Sequence, residues 1–503
     1  DHLTLLAASS NGIWRTTDGG ANWINVLAGN QFTDMCWQPL PGTHTVYASS
    51  MNKFFRSNDK GQTWTEIVSG FNNLLASGTR MATSAQNAAV VYVGTVNDEG
   101  TIFKSTDSGW NFTMQYHDTA YSLTGYDTAG GGQGNYNFCL EANPGNASQL
   151  FLGSHCVWRS NDDGLHWDKL TVWSKVLHTD MHDYLFDPLD TGRLYQANDG
   201  GVWLGQSAGT QWQPRSDGLS ATENYHAAAS PLHAGTLSTG TQDNGELYFS
   251  SGLWKTNRGG DWTTRMQMDY SEQQFVYYFN DKKRRPLPSG GSNSYEVPAS
   301  ITSTVMKHAF SPDDQQLAYV GGTSIWQTRN LGSNTPVWKQ ITPVTSSVKA
   351  MATCTGHRNI FAYSLGSKFF ITHNALDSVP VFSSVLFPVT SSASDIVISG
   401  IDTNLIFVIL TNKVYQSVDG GQSFTDYSGS LPNITQLRIF LDDYGGRFGV
   451  YCGNSSGMYY RNQSMTDWVN YSGVLPTIAA ITDFMCFNDG GTDARLYASY
   501  FGR

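Results

Sequence analysis

Charge is scarce in this chain. Of 503 residues only 14% are Asp, Glu, Lys or Arg, and the 41 acids outweigh the 30 bases for a formal net charge of −11. A balance of that sign argues against nucleic acid or an anionic lipid surface as a partner. No apolar run approaches the length of a membrane span, which argues against membrane insertion by a helix. Sustained 3.6-residue periodicity is also missing, so an architecture built on helices is excluded. There are six cysteines, and Cys36, Cys139, Cys354 and Cys486 sit in apolar runs. Such positions suit small buried hydrophobes as well as disulfides, so the cysteines leave the compartment open. The chain opens at Asp1 in mid-pattern, without Met or a signal peptide, and reads as a mature or trimmed chain with sequence once flanking both ends.

What is present is aromatic and glycine-rich: 13% Phe, Trp and Tyr, and 51 glycines. One stretch recurs. Ser57-x-Asp59-x-Gly61-x-Thr63-Trp64 returns as Thr16, Asp18, Gly20 and Trp23, and as Ser105, Asp107, Gly109 and Phe112. Two more copies are Ser160, Asp162, Gly164 and Trp167, and Ser417, Asp419, Gly421 and Phe424. A short carboxylate after a strand accepts hydrogen bonds from the N–H groups of its own turn, the glycine allows positive φ, and the ring anchors the hairpin. Asp18, Asp59, Asp107, Asp162 and Asp419 are therefore expected to be structural.

A second pattern sets the period. Short β-type segments occur at 5–8, 46–49, 91–94, 150–153, 194–197 and 237–240, then at 276–279, 318–321, 360–363, 406–409, 450–453 and 496–499. Twelve marks about 40–60 residues apart are the spacing of four-stranded propeller blades. The expected fold is all-β: about twelve blade units, six on either side of residue 258, in two tandem propellers (1–258 and 259–503) or, alternatively, one large ring. Residues 1–26 read as a blade lacking its first strand, and 480–503 as the opening strands of another. Stretches 323–338, 369–382 and 457–468 keep an aromatic residue and lose the acidic turn. Residues 281–298, with Lys282, Lys283, Arg284 and Arg285, read as an exposed inserted loop. The glycine-rich stretch 125–135 reads as a surface loop, since it lacks the Lys-Ser/Thr of a phosphate loop.

Candidate chemistry lies in one polar run. It holds His178, Asp180, His182 and Asp183, then Asp199, then Gln242 and Asp243, then Asp261. Equivalent loops of neighbouring blades can converge on one rim, where these groups could hold a ligand or a cation such as calcium, or supply two carboxylates for glycoside hydrolysis. His178, Asp180 and His182, spaced by two, would share one face of a strand. Against this stands the plainer reading that Asp and Asp-Gly-Gly segments tie loops together. Asn111, Asn146, Asn433, Asn454, Asn462 and Asn470 each begin a glycosylation sequon.

The repeated turns resemble the Asp-box (BNR-repeat) propellers, which include sialidases, two-propeller xyloglucanases and the lumenal domains of sortilin-type receptors. HTDMHDYLFDP (178–188), YQANDGGVW (195–203), TGTQDNG (239–245), GGDW (259–262) and YASYFGR (497–503) make the chain most similar to secreted sortilin-like or xyloglucanase-like proteins. The Phe/Tyr-Arg-Ile-Pro motif of sialidases does not occur. The xyloglucanase resemblance implies two catalytic aspartates, but no motif places either here. The resemblance thus implies an extracellular propeller that binds protein or carbohydrate. The alternatives are a glycoside hydrolase acting on a β-glucan and a structural repeat of a surface layer or filament.

Overall fold

Short runs of alternating or fully apolar residues, closed off by Gly, Asn, Asp and Ser, leave no room for anything but tight antiparallel meanders. Among its described residues the computed structural model has twelve such sheets, each strand pairing with the one before it in sequence. The structure describes residues 2–501 apart from 77, 97–98, 118–121, 127–131, 173–175, 207, 220–221, 263–265, 269–274, 279–282, 287–292, 295–306, 345, 444–445, 447, 474, 476–479 and 489–493. The chain is a multi-blade β-propeller protein. In chain order, blades 1 to 12 span 5–28, 32–67, 80–117, 139–169, 181–214, 224–258, 266–294, 307–343, 350–386, 393–426, 436–470 and 480–501. Blade 1 has three described strands, blade 12 has two and the rest have four. Each of the twelve period marks falls on or overlaps the second strand of its blade, blade 1 lacking the first.

The chain forms two compact units, Asp1–Leu219 and Ser220–Arg503, so five blades belong to the first and seven to the second. The division comes one blade before residue 258. Blade 6 belongs to the second unit because its first strand, Asn224–Ala229, packs on the first strands of blades 7 and 12. Residues 283–286, expected in a loop, form the strand Lys283–Pro286 of blade 7, and Asn293–Ser294 form its last strand. A basic side chain does not stop its backbone from pairing. Residues 281–282, 287–292 and 295–298 of that stretch lie outside the described residues.

The repeated turn is a closed hydrogen-bond circuit. Ser57 Oγ donates to Asp59 Oδ1 (2.7 Å) and accepts from the N–H of Gly61 (2.9 Å), while the N–H groups of Gln62 and Thr63 donate to Asp59 Oδ1 (3.0 and 2.8 Å). Trp64 Nε1 then donates to the Gly61 carbonyl (3.1 Å). The Asp419 turn repeats the circuit. There the Ser423 hydroxyl, then Ser417, then the Ser423 amide hold the carboxyl at about 2. Its Gly421 has φ +85°, and a Cβ there would lie 2.4 Å from the Phe369 ring of the preceding blade. Blades 8 and 9 keep the same turn with asparagine. Thr328 Oγ1 donates to Asn330 Oδ1 (3.0 Å) and Thr372 Oγ1 to Asn374 Oδ1 (2.7 Å). The acidic turn counted as lost there is an amide version of itself, because the circuit needs an acceptor and not a charge.

A second device joins blades at their first strands. Register shifts stand in blades 2, 5, 6, 10, 11 and 12, immediately before Asp34, Asp183, His226, Asp395, Arg438 and Asp483. A bulge re-aims the side chain that follows it. Asp34 Oδ2 accepts the Met81 N–H of blade 3 (2.8 Å), and Asp395 Oδ2 accepts the Ile439 N–H of blade 11 (3.1 Å). Asp483 does the most. It pairs with Arg438 Nε of blade 11 (2.9 Å) and His226 Nδ1 of blade 6 (2.9 Å), and accepts the Ala227 N–H (3.4 Å). It thereby joins the last blade of the second unit to the first, and with Tyr277 of blade 7 packing on Phe310 of blade 8 the seven blades form a closed ring.

Two stability measurements test these devices. Asp483→Ala leaves Arg438 without its partner and is expected to cost about 3 kcal/mol or more in urea unfolding; a cost below about 1 kcal/mol would show that the ring closes without it. Ser57→Ala removes the acceptor of a buried N–H and is expected to cost about 1–3 kcal/mol, with no loss expected where a turn has no such circuit.

Candidate functional sites

In the first unit the run 178–199 does not lie on one strand face. The strand Met181–Asp187 starts after Asp180, whose φ is +59°, and the register slips between Met181 and Asp183. The alternation needed to align His178, Asp180 and His182 is therefore broken twice. His178 donates from Nδ1 to the Thr179 carbonyl (3.0 Å). Asp180 turns inward, nine-tenths buried, and accepts from Asn137 Nδ2 (2.6 Å) beside the buried His155, whose Nδ1 lies 3.3 Å away. His155 stacks on Tyr126 at 3.9 Å, bonds Thr179 Oγ1 through Nδ1 (3.0 Å) and leaves its buried Nε2 unpaired.

His182 turns outward. Its Nε2 donates to Asp199 Oδ1 (2.5 Å), the Tyr136 hydroxyl donates to Asp199 Oδ2 (3.1 Å), and the Tyr136 ring meets the imidazole edge-on. Tyr136 and Asn137 come from a single helical turn, Gly134–Asn137, that overlaps the end of the stretch expected to be a plain loop; residues 127–131 of it lie outside the described residues. The Asp199 hydrogen bond raises the His182 pKa above its ordinary value against partial burial. Asp183 accepts its neighbour's N–H, from Tyr184 (2.9 Å).

The remainder of the run lies in the second unit. Gln242 Oε1 accepts from the Tyr225 hydroxyl (3.0 Å), and the Asp243 N–H donates to Asp261 Oδ1 (3.1 Å). Asp243 and Gly245 take φ of +58° and +86°, and a Cβ on Gly245 would lie 1.6 Å from the Arg258 carbonyl oxygen. Gln-Asp-Asn-Gly is thus a tight corner that only glycine can close.

Two groupings were not legible as sites in the sequence. In the first unit, Asp34, Arg80, Glu141 and Asp183 come from the first strands of blades 2 to 5. Burial, then the charges of Asp183 and Asp34, push the Glu141 carboxyl up to about 8. In the second unit, three adjoining cavities of about 640, 280 and 320 Å³ share lining residues along the inside of the ring. The largest lies just past the ends of the first strands, among Asp313, Gly356, Gly400, Phe440, Asp443 and Asn488. Asp313 Oδ2 accepts the Gly356 N–H and Asp443 Oδ2 the Gly400 N–H, each at 2.6 Å.

Among the described residues, no group of three or more His, Cys, Asp or Glu is arranged to hold a metal ion. All six cysteines are free thiols, and burial pushes Cys354 up to about 12. Of the sequon asparagines, Asn111, Asn146, Asn433 and Asn470 are exposed and Asn462 is half-buried. Asn454 is fully buried, with its Nδ2 donating to Gln436 Oε1 (3.1 Å), so the folded chain offers no acceptor there. No helix among the described residues is long and apolar enough to cross a membrane.

No protein-family model matches the chain, and no curated protein matches it. Solved structures do. A GH74 enzyme from Niastella koreensis is 16% identical, with a TM-score of 0.52 over 99% of this chain and 71% of its own. The GH74 xyloglucanase from Xanthomonas campestris is 14% identical, with a TM-score of 0.51 over 99% of this chain and 72% of its own. At such identities the likeness is one of fold.

The His182–Asp199 pair yields a prediction. The folded state favours charged His182, so the pair's stabilisation is complete below the ordinary value of 6.5 and fades as pH rises through the higher folded value. Asp199→Asn is expected to bring the His182 midpoint, followed by NMR of its ring protons, back towards 6.5; an unmoved midpoint would assign the shift to other groups.

Proposed function

We propose that this chain is an extracellular propeller protein of Asp-box blades that binds a protein or polysaccharide ligand. The observation that carries this reading is the cavity of about 640 Å³ at the strand ends of the second unit's ring, lined by apolar side chains and a few polar groups. The carboxylates of the repeated turns do not compete as chemistry, since their own turns occupy them. Asp180 and Asp199 are likewise held by neighbouring side chains.

A second reading, a glycoside hydrolase of the xyloglucanase type acting on a β-glucan, has one specific observation in its favour. Glu141, at about 8, stays protonated at neutral pH beside other carboxyls, as a general acid must. The fold likeness to GH74 enzymes is compatible with it and does not transfer their activity.

One pair of assays separates the two. The chain is tested for retention on immobilised xyloglucan and other β-glucans, and for release of reducing ends from them. Retention or protein capture without release is expected. Release that falls about a hundredfold or more in Glu141→Gln would overturn the binding reading in favour of the enzyme.

A further inference from the structure

The rim of the second unit's cavity has a lopsided chemistry. Among the described residues that line it, two are aspartates and none is Lys or Arg, and the described lining of the two adjoining cavities holds no Lys or Arg either. Arg358, beside the rim segment Thr355–Gly356, is paired with Asp314. Each rim aspartate has one oxygen on a glycine N–H of a neighbouring blade. Those bonds fix where the carboxylates point without neutralising them. The other oxygen of Asp443 is buried and accepts no hydrogen bond. Burial keeps the Asp443 carboxyl above its ordinary pKa, which a counter-charge would reverse. Around the carboxylates the wall is apolar: Pro231, Pro312, Ile401, Phe440 and Leu441.

Resting on the binding reading above, we propose that this rim takes a cationic side chain, a lysine or arginine presented by a protein partner, with its alkyl stem along the apolar wall and its charge between Asp313 and Asp443. The stem of such a residue covers apolar surface while its head seeks an anion, which is the division of labour this rim offers. A neutral sugar would leave the carboxylates uncompensated on ligand binding. Among the described residues that line the cavity there is no Trp or Tyr to stack on a sugar face. The chain's net charge of −11 also favours the approach of a basic partner.

The test uses the full chain and four probes: the peptide acetyl-Gly-Lys-Gly-amide, its norleucine counterpart of nearly equal stem, spermidine, and a xyloglucan oligosaccharide. Binding is read by NMR titration. The lysine peptide is expected to bind about tenfold or more tighter than the norleucine peptide. Asp443→Asn and Asp313→Asn are each expected to remove most of that difference. Asparagine still accepts the Gly400 or Gly356 N–H, so an unchanged melting temperature confirms that the fold is kept. Equal binding of the two peptides, or unchanged binding in both variants, overturns the proposal. Spermidine binding that excludes the peptide keeps the cation chemistry and overturns the protein source. An oligosaccharide that binds at this rim while the amines do not overturns the cation and leaves the binding reading standing. If no probe binds at the rim, and the chain is also not retained on β-glucans and captures no protein, both readings fall.

Discussion

Asp483 carries more of the architecture than any residue of the repeated motif. One carboxylate joins a guanidinium, an imidazole and a backbone N–H from two other blades, and in doing so closes the second unit's ring. A propeller has no covalent reason to close. Its last sheet must hold its first by contacts, and an open end would expose sheet edges. The same device recurs at Asp34 and Asp395, where a bulge turns a carboxylate onto the N–H of the next blade. The interior of the ring is thereby lined by first strands whose polar groups are largely committed to holding blades together.

That commitment explains where binding chemistry is left. Carboxylates in the repeated turns serve their own amides, and three of those at the bulges, Asp34, Asp395 and Asp483, serve the neighbouring blade. The strand ends are different. There Asp313 and Asp443 each spend one oxygen on a glycine N–H and line open space. On the first unit, His182 and Asp199 form a partly exposed pair steadied by Tyr136. The Glu141 and Asp443 carboxyls are both raised above their ordinary values chiefly by burial.

The turns, the twelve marks and the missing first strand of blade 1 were legible because each depends on residues within about ten positions of one another. The asparagine turns of blades 8 and 9 were missed because the motif was read by its charge, while the hydrogen-bond circuit asks only for an acceptor. The expected single face of His178, Asp180 and His182 failed through a positive φ and a bulge, neither of which a two-residue spacing reveals. The bulge residues had a faint signal, apolar-x-Asp-apolar in FTDM, MHDY, ASDI and ITDF, that opens several repeats. Its meaning depends on an N–H one blade away.

By itself, then, the chain's sequence determined blade type, blade number and the role of the turn aspartates, because period and local hydrogen bonding are properties of adjacent residues. Tertiary structure alone decided that the blades divide five and seven, that Asp483 closes a ring, that Asn454 is sealed from modification, and that Asp313 and Asp443 line one rim. The ring closure joins His226 and Asp483, 257 positions apart, and the rim brings together Asp313 of blade 8 and Asp443 of blade 11. At such separations the partner is chosen by how blades pack, which no local pattern encodes.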